Sequence, residues 1–137
     1  MYFCVRFLSI LKEFSLDTVL KLLREGNAEL KPTHEKLCYP IVARIYKKMS
    51  VGIRFSGIKV CEDMIIDGHH RYLASLLAGV SLEIIPSSST SATKTTTWNT
   101  IDLMEEDWDT EAKINHLNQI DADNNGMSIE ALKILLQ

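Results

Sequence analysis

Met64-Ile65-Ile66-Asp67-Gly68-His69-His70-Arg71 is where the pattern of this chain changes from strand to helix. Met64 to Ile66 is an apolar run of strand length. Tyr72 to Val80 has helical spacing, with Leu73, Leu76, Leu77 and Val80 on one face and Arg71 turned away from it. A glycine turn thus delivers two histidines and an arginine to a helix start. The first N–H groups of a helix have no partner within it, and its dipole is positive at that end. Such a start favours phosphate or carboxylate. Gly68 lets a ligand approach the backbone closely and accepts backbone angles closed to other residues.

Similar signals flank this stretch. Ile58 to Cys61 reads as a strand joined to Met64 by the turn Glu62-Asp63, and Leu82 to Pro86 as a third strand beyond Gly79. Ser15 is a good N-cap for a helix carrying Leu16, Val19, Leu20 and Leu23, with its stop at Gly26-Asn27. Ala28 to Lys31 is expected to form a short strand before Pro32. Thr33-His34-Glu35 is expected to turn into a helix striped by Ile41, Val42, Ile45 and Met49, with Pro40 in its first turn. Ser50 to Gly57 reads as a loop. Ser87 to Thr97 reads as a Ser/Thr loop or as a threonine-rich strand at its far end. Trp108 to Leu117 and Ser128 to Leu136 are expected to be helices around Asp121-Ala122-Asp123-Asn124-Asn125-Gly126. The alternation predicts a single compact α+β domain, a small mixed sheet with helices packed on it. Residues 1–27 form an N-terminal helical extension, 28–104 the core and 105–137 a C-terminal helical tail.

Composition narrows the chemistry. With 137 residues, 46% hydrophobic and 24% charged, the chain can bury a core of ordinary size. A formal net charge of -3 gives no general pull toward DNA, so DNA contact needs a local basic patch, for which Lys47, Lys48, Arg54 and Lys59 are the candidates. Cys4, Cys38 and Cys61 form no C-x-x-C pair, which speaks against a zinc knuckle or redox dithiol and for reduced thiols in a cytoplasmic protein. The apolar start Tyr2 to Leu8 is interrupted by Arg6, too short to span a bilayer, and reads as core material rather than an address or a membrane anchor.

Leu30-Lys31-Pro32-Thr33-His34-Glu35, a helix, the strand Ile58-Lys59-Val60, and Ile65 to Arg71 leading a second helix together resemble the ParB/sulfiredoxin superfamily over residues 28–86. Members of that superfamily share a nucleotide phosphate held at a Gly-x-x-Arg turn. Sulfiredoxins place a catalytic cysteine directly after the glycine, where this chain has His69, so sulfinic-acid reduction is not implied. Partition proteins carry Gly-Glu-Arg-Arg there and need a helix-turn-helix domain, for which little chain remains after Pro86. The turn is most similar to the Asp-Gly-His-x-Arg of free-serine kinases, which use an earlier glutamate as base; Glu35 falls at that place. The resemblance implies phosphoryl transfer from ATP or ADP to a small hydroxyl substrate, assisted by Mg²⁺. A DNA-associated module, a metal-dependent nuclease and a non-catalytic nucleotide-binding regulator are the alternatives.

Gly68, His69, His70 and Arg71 are therefore the expected phosphate ligands. The planar guanidinium of Arg71 suits bidentate binding, and His70 adds a donor that protonation near neutral pH would strengthen. His69 lies toward the core-facing side of its helix, where a packed structural histidine is the competing role. Asp67 is either the helix N-cap or a carboxylate that holds Mg²⁺ or accepts a substrate proton. Glu35, Asp67 and His70 are the candidate catalytic groups. His34, Glu35, Asp67, His69 and His70 are ligand types for a transition metal but lack helical metal-ligand spacing. Asp121-x-Asp123-x-Asn125-Gly126 imitates half of a calcium loop, yet position twelve is Leu132; an Asx-rich turn before a helix capped by Ser128 is the simpler expectation. Trp98 and Trp108 are candidates to stack a base or to cover the core.

Overall fold

The computed structural model describes residues 14–26 and 28–137. The apolar run at residues 2–8 and Cys4 lie outside them. Among the described residues the chain is α+β. The helices are α1 (Leu16–Glu25), α2 (Tyr39–Ser50), α3 (His69–Ala78), α4 (Glu111–Asn124) and α5 (Ile129–Leu135). The strands are β1 (Lys36–Cys38), β2 (Ile58–Cys61), β3 (Met64–Asp67), β4 (Ile84–Pro86) and β5 (Asp102–Met104). A mixed sheet has the order β3-β2-β4, with β2 antiparallel to β3 and parallel to β4. A separate parallel pair joins β1 to β5. No described helix is long and apolar enough to cross a membrane.

Several elements follow directly from local chemistry. Ser15 caps α1 in a reciprocal capping box with Thr18, Thr110 caps α4 and Ser128 caps α5. Gly79 closes α3 at φ +68. Other expectations are corrected. Thr33-His34-Glu35 does not enter a helix. The chain stays extended into β1, and α2 starts only at Tyr39 with Pro40 in its first turn. The reason is non-local: Lys36, Leu37 and Cys38 pair with Asp102, Leu103 and Met104, and Leu37 and Cys38 are fully buried. Ala28 to Lys31 contributes an isolated bridge from Lys31 to Met64 rather than a strand. The helix expected at Trp108 begins at Glu111 and runs on to Asn124, taking in Asp121 to Asn124.

The main core joins Val19 and Leu23 of α1 to Leu37, Val42, Tyr46, Met49, Leu73, Ala74 and Ile101. The N-terminal helix is thus a wall of the core and not an appendage. The buried residues of α3 run from His69 to Ser75, and Leu77 and Ala78 pack partly buried against the core. Leu76 and Val80, expected on the buried face, are exposed and border a shallow depression beside Leu82 and Ile84. The tail is anchored by Ala122 and Leu132 packed on Ile53.

One polar contact supports that anchor. Lys48 is buried, and its Nζ donates to Asp121 Oδ2 at 2.7 Å, so it leaves the expected basic patch. Removing one partner of a buried pair leaves an uncompensated charge. Lys48→Met is expected to cost about 3 kcal/mol. Adding Asp121→Leu is expected to restore much of it. A double-mutant cycle by urea unfolding measures the coupling, and additive single losses would exclude the pair as an anchor.

Candidate functional site

A cleft of about 770 Å³ opens in front of the Gly68–Arg71 turn. One wall is α2 with Ile41, Arg44, Ile45 and Lys48; Arg54, Phe55 and Ser56 form the rim. Helix α4 also lines it, through Ile114, Leu117, Asn118 and Asp121. Those α4 positions recur at helical spacing on one face, which is the sequence signal that could have found them.

The turn itself has three notable properties. Gly68, not Asp67, is the N-cap of α3; its φ is +107, and no side chain caps this helix start. The starts of α1, α4 and α5 each have a hydroxyl acceptor, whereas the start of α2, like that of α3, has none. A Cβ on Gly68 would lie 2.8 Å from Arg71 Nη2, so the missing side chain is what lets the guanidinium fold back over the turn. Arg71 Nη1 donates to Ser56 Oγ at 2.7 Å, while Nη2 stands 3.5 Å from Asp67 Oδ2. That ion pair is long and the Asp67 side chain is 67% exposed, so Arg71 keeps donor capacity for a ligand. Arg44 is its opposite: it donates to both Asp107 oxygens and to Asp109, which raises its already high pKa and holds the Asp107 carboxyl below the usual range.

The histidines are committed to the fold. Thr33 N–H donates to His69 Nε2 at 2.9 Å, and Cys38 N–H donates to His70 Nε2 at 3.0 Å. An accepting Nε2 leaves the ring proton on Nδ1, so both rings are neutral. Burial lowers the pKa of His69 to about 3, helped by the nearby His34 and His70. Burial likewise lowers His70 to about 4, with His34 adding to it and Asp109 opposing. The expected protonation of His70 near neutral pH is therefore corrected: it offers a ligand a neutral Nδ1–H. His69 stacks on His34 at 4.1 Å between ring centres, and His70 meets the edge of Trp108. Each histidine ties the Gly68–Arg71 turn to the 33–38 segment.

Of the candidate site residues, Asp67, Gly68, His69, His70 and Arg71 all line the cleft. Glu35 is not among the lining residues. Its side chain is exposed, and its backbone carbonyl accepts from Asp102 in the β1–β5 pair, while the neighbouring His34 does reach the cleft. Among the described residues no three His, Cys, Asp or Glu groups gather to hold a metal ion. A lone exposed Asp67 still fits Mg²⁺, which commonly takes one carboxylate together with phosphate oxygens and water. The Asp121–Gly126 stretch is a helix end, not a calcium loop. Asn125 Oδ1 accepts from Arg54 N–H at 2.8 Å, and its Nδ2 donates to the Arg54 carbonyl at 3.1 Å, bracing the cleft rim against α4. Trp98 serves the core: its Nε1 donates to the Leu30 carbonyl at 2.8 Å and its ring stacks on Tyr72.

Four cations and two carboxylates line the cleft, against a net charge of -3 for the whole chain, and of those cations Arg54 has no carboxylate partner among the described residues. No family model, curated protein or solved structure matches the chain.

Proposed function

We propose that this domain binds the phosphates of ATP or ADP at the Gly68–Arg71 turn and serves as a Mg²⁺-assisted phosphotransferase toward a small hydroxyl substrate. The observation that carries the reading is the loosely paired Arg71 guanidinium, folded over an uncapped glycine helix start at the cleft. Such a start offers backbone N–H groups to phosphate oxygens, and the guanidinium adds charge-assisted hydrogen bonds. Asp67, a carboxylate of the cleft lining, would hold Mg²⁺ or accept the hydroxyl proton. Glu35, implied as base by the superfamily resemblance, starts outside the cleft wall, so Asp67 takes precedence in this reading. The neutral Nδ1–H of His70 supplies a further donor rather than a charge.

Titration calorimetry with ATP and with ADP, with and without Mg²⁺, tests binding, and nucleotide consumption with a panel of small alcohols tests transfer. Arg71→Ala is expected to weaken nucleotide binding by about 10- to 100-fold, the worth of a lost charge-assisted bond, with little change in stability. Asp67→Asn is expected to remove turnover while leaving metal-free binding within a few fold. Absence of nucleotide binding by the intact chain would overturn the reading. Binding without consumption would reduce it to a nucleotide-binding regulator.

A further inference from the structure

We infer that helix α4 supplies the wall that receives the base of the same ligand, with Ile114 and Leu117 covering its face and Asn118 reading the polar edge of an adenine. The inference rests on the phosphate reading of the turn and adds a recognition element in the segment after residue 105. It starts from the two kinds of group that share one cleft. Gly68, Arg71 and the neutral histidines line it, and so do Ile114 and Leu117 of α4 together with Ile41, Ile45 and Phe55. A cleft of about 770 Å³ with both apolar and polar lining is the size and character that a phosphate-bearing small molecule requires.

Asn118 marks the specificity. It is half-buried on the same α4 face as Ile114 and Leu117, and its amide makes no hydrogen bond to another described residue. An amide offers one acceptor and two donors, the pattern that pairs in bidentate fashion with the N6/N7 edge of adenine. The wall is also fixed with respect to the turn. Lys48 holds Asp121 one helical turn beyond Asn118, Asn125 clamps both backbone groups of Arg54, and Arg44 ties Asp107 and Asp109 just ahead of the helix. An apolar face held stiffly in the same cleft as the proposed anion site points to a ligand body attached to the anion. A partner protein would instead meet outward-facing groups such as Ile134.

The test compares ATP, GTP and inorganic tripolyphosphate, without Mg²⁺, on the full chain by titration calorimetry. The wild-type chain is expected to bind ATP about tenfold or more tighter than tripolyphosphate, and about tenfold tighter than GTP. Leu117→Ala is expected to lose most of the advantage of ATP over tripolyphosphate while leaving tripolyphosphate affinity within about twofold. Asn118→Leu, which keeps the bulk of the side chain, is expected to erase the preference for ATP over GTP. Equal wild-type affinity for ATP and tripolyphosphate would overturn the wall and leave the phosphate turn standing. Equal loss of both probes in Leu117→Ala would overturn it too. Failure of all three probes to bind would overturn the phosphate reading and this inference together.

Discussion

Gly68→Ala is expected to destabilise the domain by about 2–5 kcal/mol and to lower its Tm by roughly 10 °C. Two costs combine. Gly68 has φ +107, a backbone conformation that side chains with a Cβ rarely adopt. The added carbon would also meet Ile58 Cγ2 at 2.5 Å and Ile58 Cβ at 3.0 Å. Ile58 is fully buried in the central strand β2, so it has nowhere to move. The other neighbour, Arg71 Nη2 at 2.8 Å, is the free end of a side chain and would yield, but yielding removes it from the turn. If the turn binds phosphate as proposed, the variant is therefore expected to lose that binding beyond what its lower stability explains. Gly79→Ala is the comparison: φ is +68 but the space around it is open, so its cost should be the backbone term alone, about 1–2 kcal/mol. Differential scanning calorimetry on both variants decides. Equal losses at the two glycines would show that crowding against Ile58 does not operate.

Acid is expected to unfold the domain from an unusually high pH downward, because of His69 and His70. Both have folded pKa values, about 3 and about 4, below the 6.5 of an ordinary histidine. The folded state thus refuses protons that the unfolded chain accepts. Stability is complete above about pH 6.5 and is lost as pH falls toward the folded values, at up to about 1.4 kcal/mol per pH unit for each histidine. The structural cause is the pair of accepting Nε2 atoms. Protonating either ring would set an N–H against the backbone N–H of Thr33 or Cys38, inside a buried site. Urea unfolding at pH 7, 6 and 5 isolates the effect above the range where most carboxylates titrate. A flat stability over that window would mean that these rings do not accept the two backbone bonds. The same neutrality bears on the proposed phosphate binding: protonation of His69 or His70 should not raise anion affinity between pH 8 and 6.

The local parts of the site were legible because local chemistry writes them. Ile65-Ile66-Asp67-Gly68 could only be a strand meeting a turn, Gly79 marked the end of α3, and the hydroxyls at Ser15 and Ser128 marked helix starts. Arg71, read as turned away from the apolar stripe, lines the cleft. Less was visible where pairing is distant. β1 was hidden because Leu37 and Cys38 owe their extended form to Leu103 and Met104, more than sixty residues away. Leu76 and Val80 fit a helical stripe with Leu73 and Leu77, yet only the latter two pack on the core. The tail had an apolar stripe, but nothing in it named what it faced.

By itself the sequence determined a glycine-centred helix start bearing two histidines and an arginine, because backbone angle and side-chain type at adjacent positions are properties of the chain. Only the tertiary structure decided how those groups are spent. Backbone N–H groups from the 33–38 segment take the two imidazole nitrogens and keep the rings neutral, and three aspartates from the tail pair with Arg44 and Lys48. Arg71 donates to Ser56 and meets Asp67 only at 3.5 Å, so it keeps donors for a ligand. Hydrogen-bond partners and burial set protonation and availability, and those depend on residues that sequence order keeps far apart.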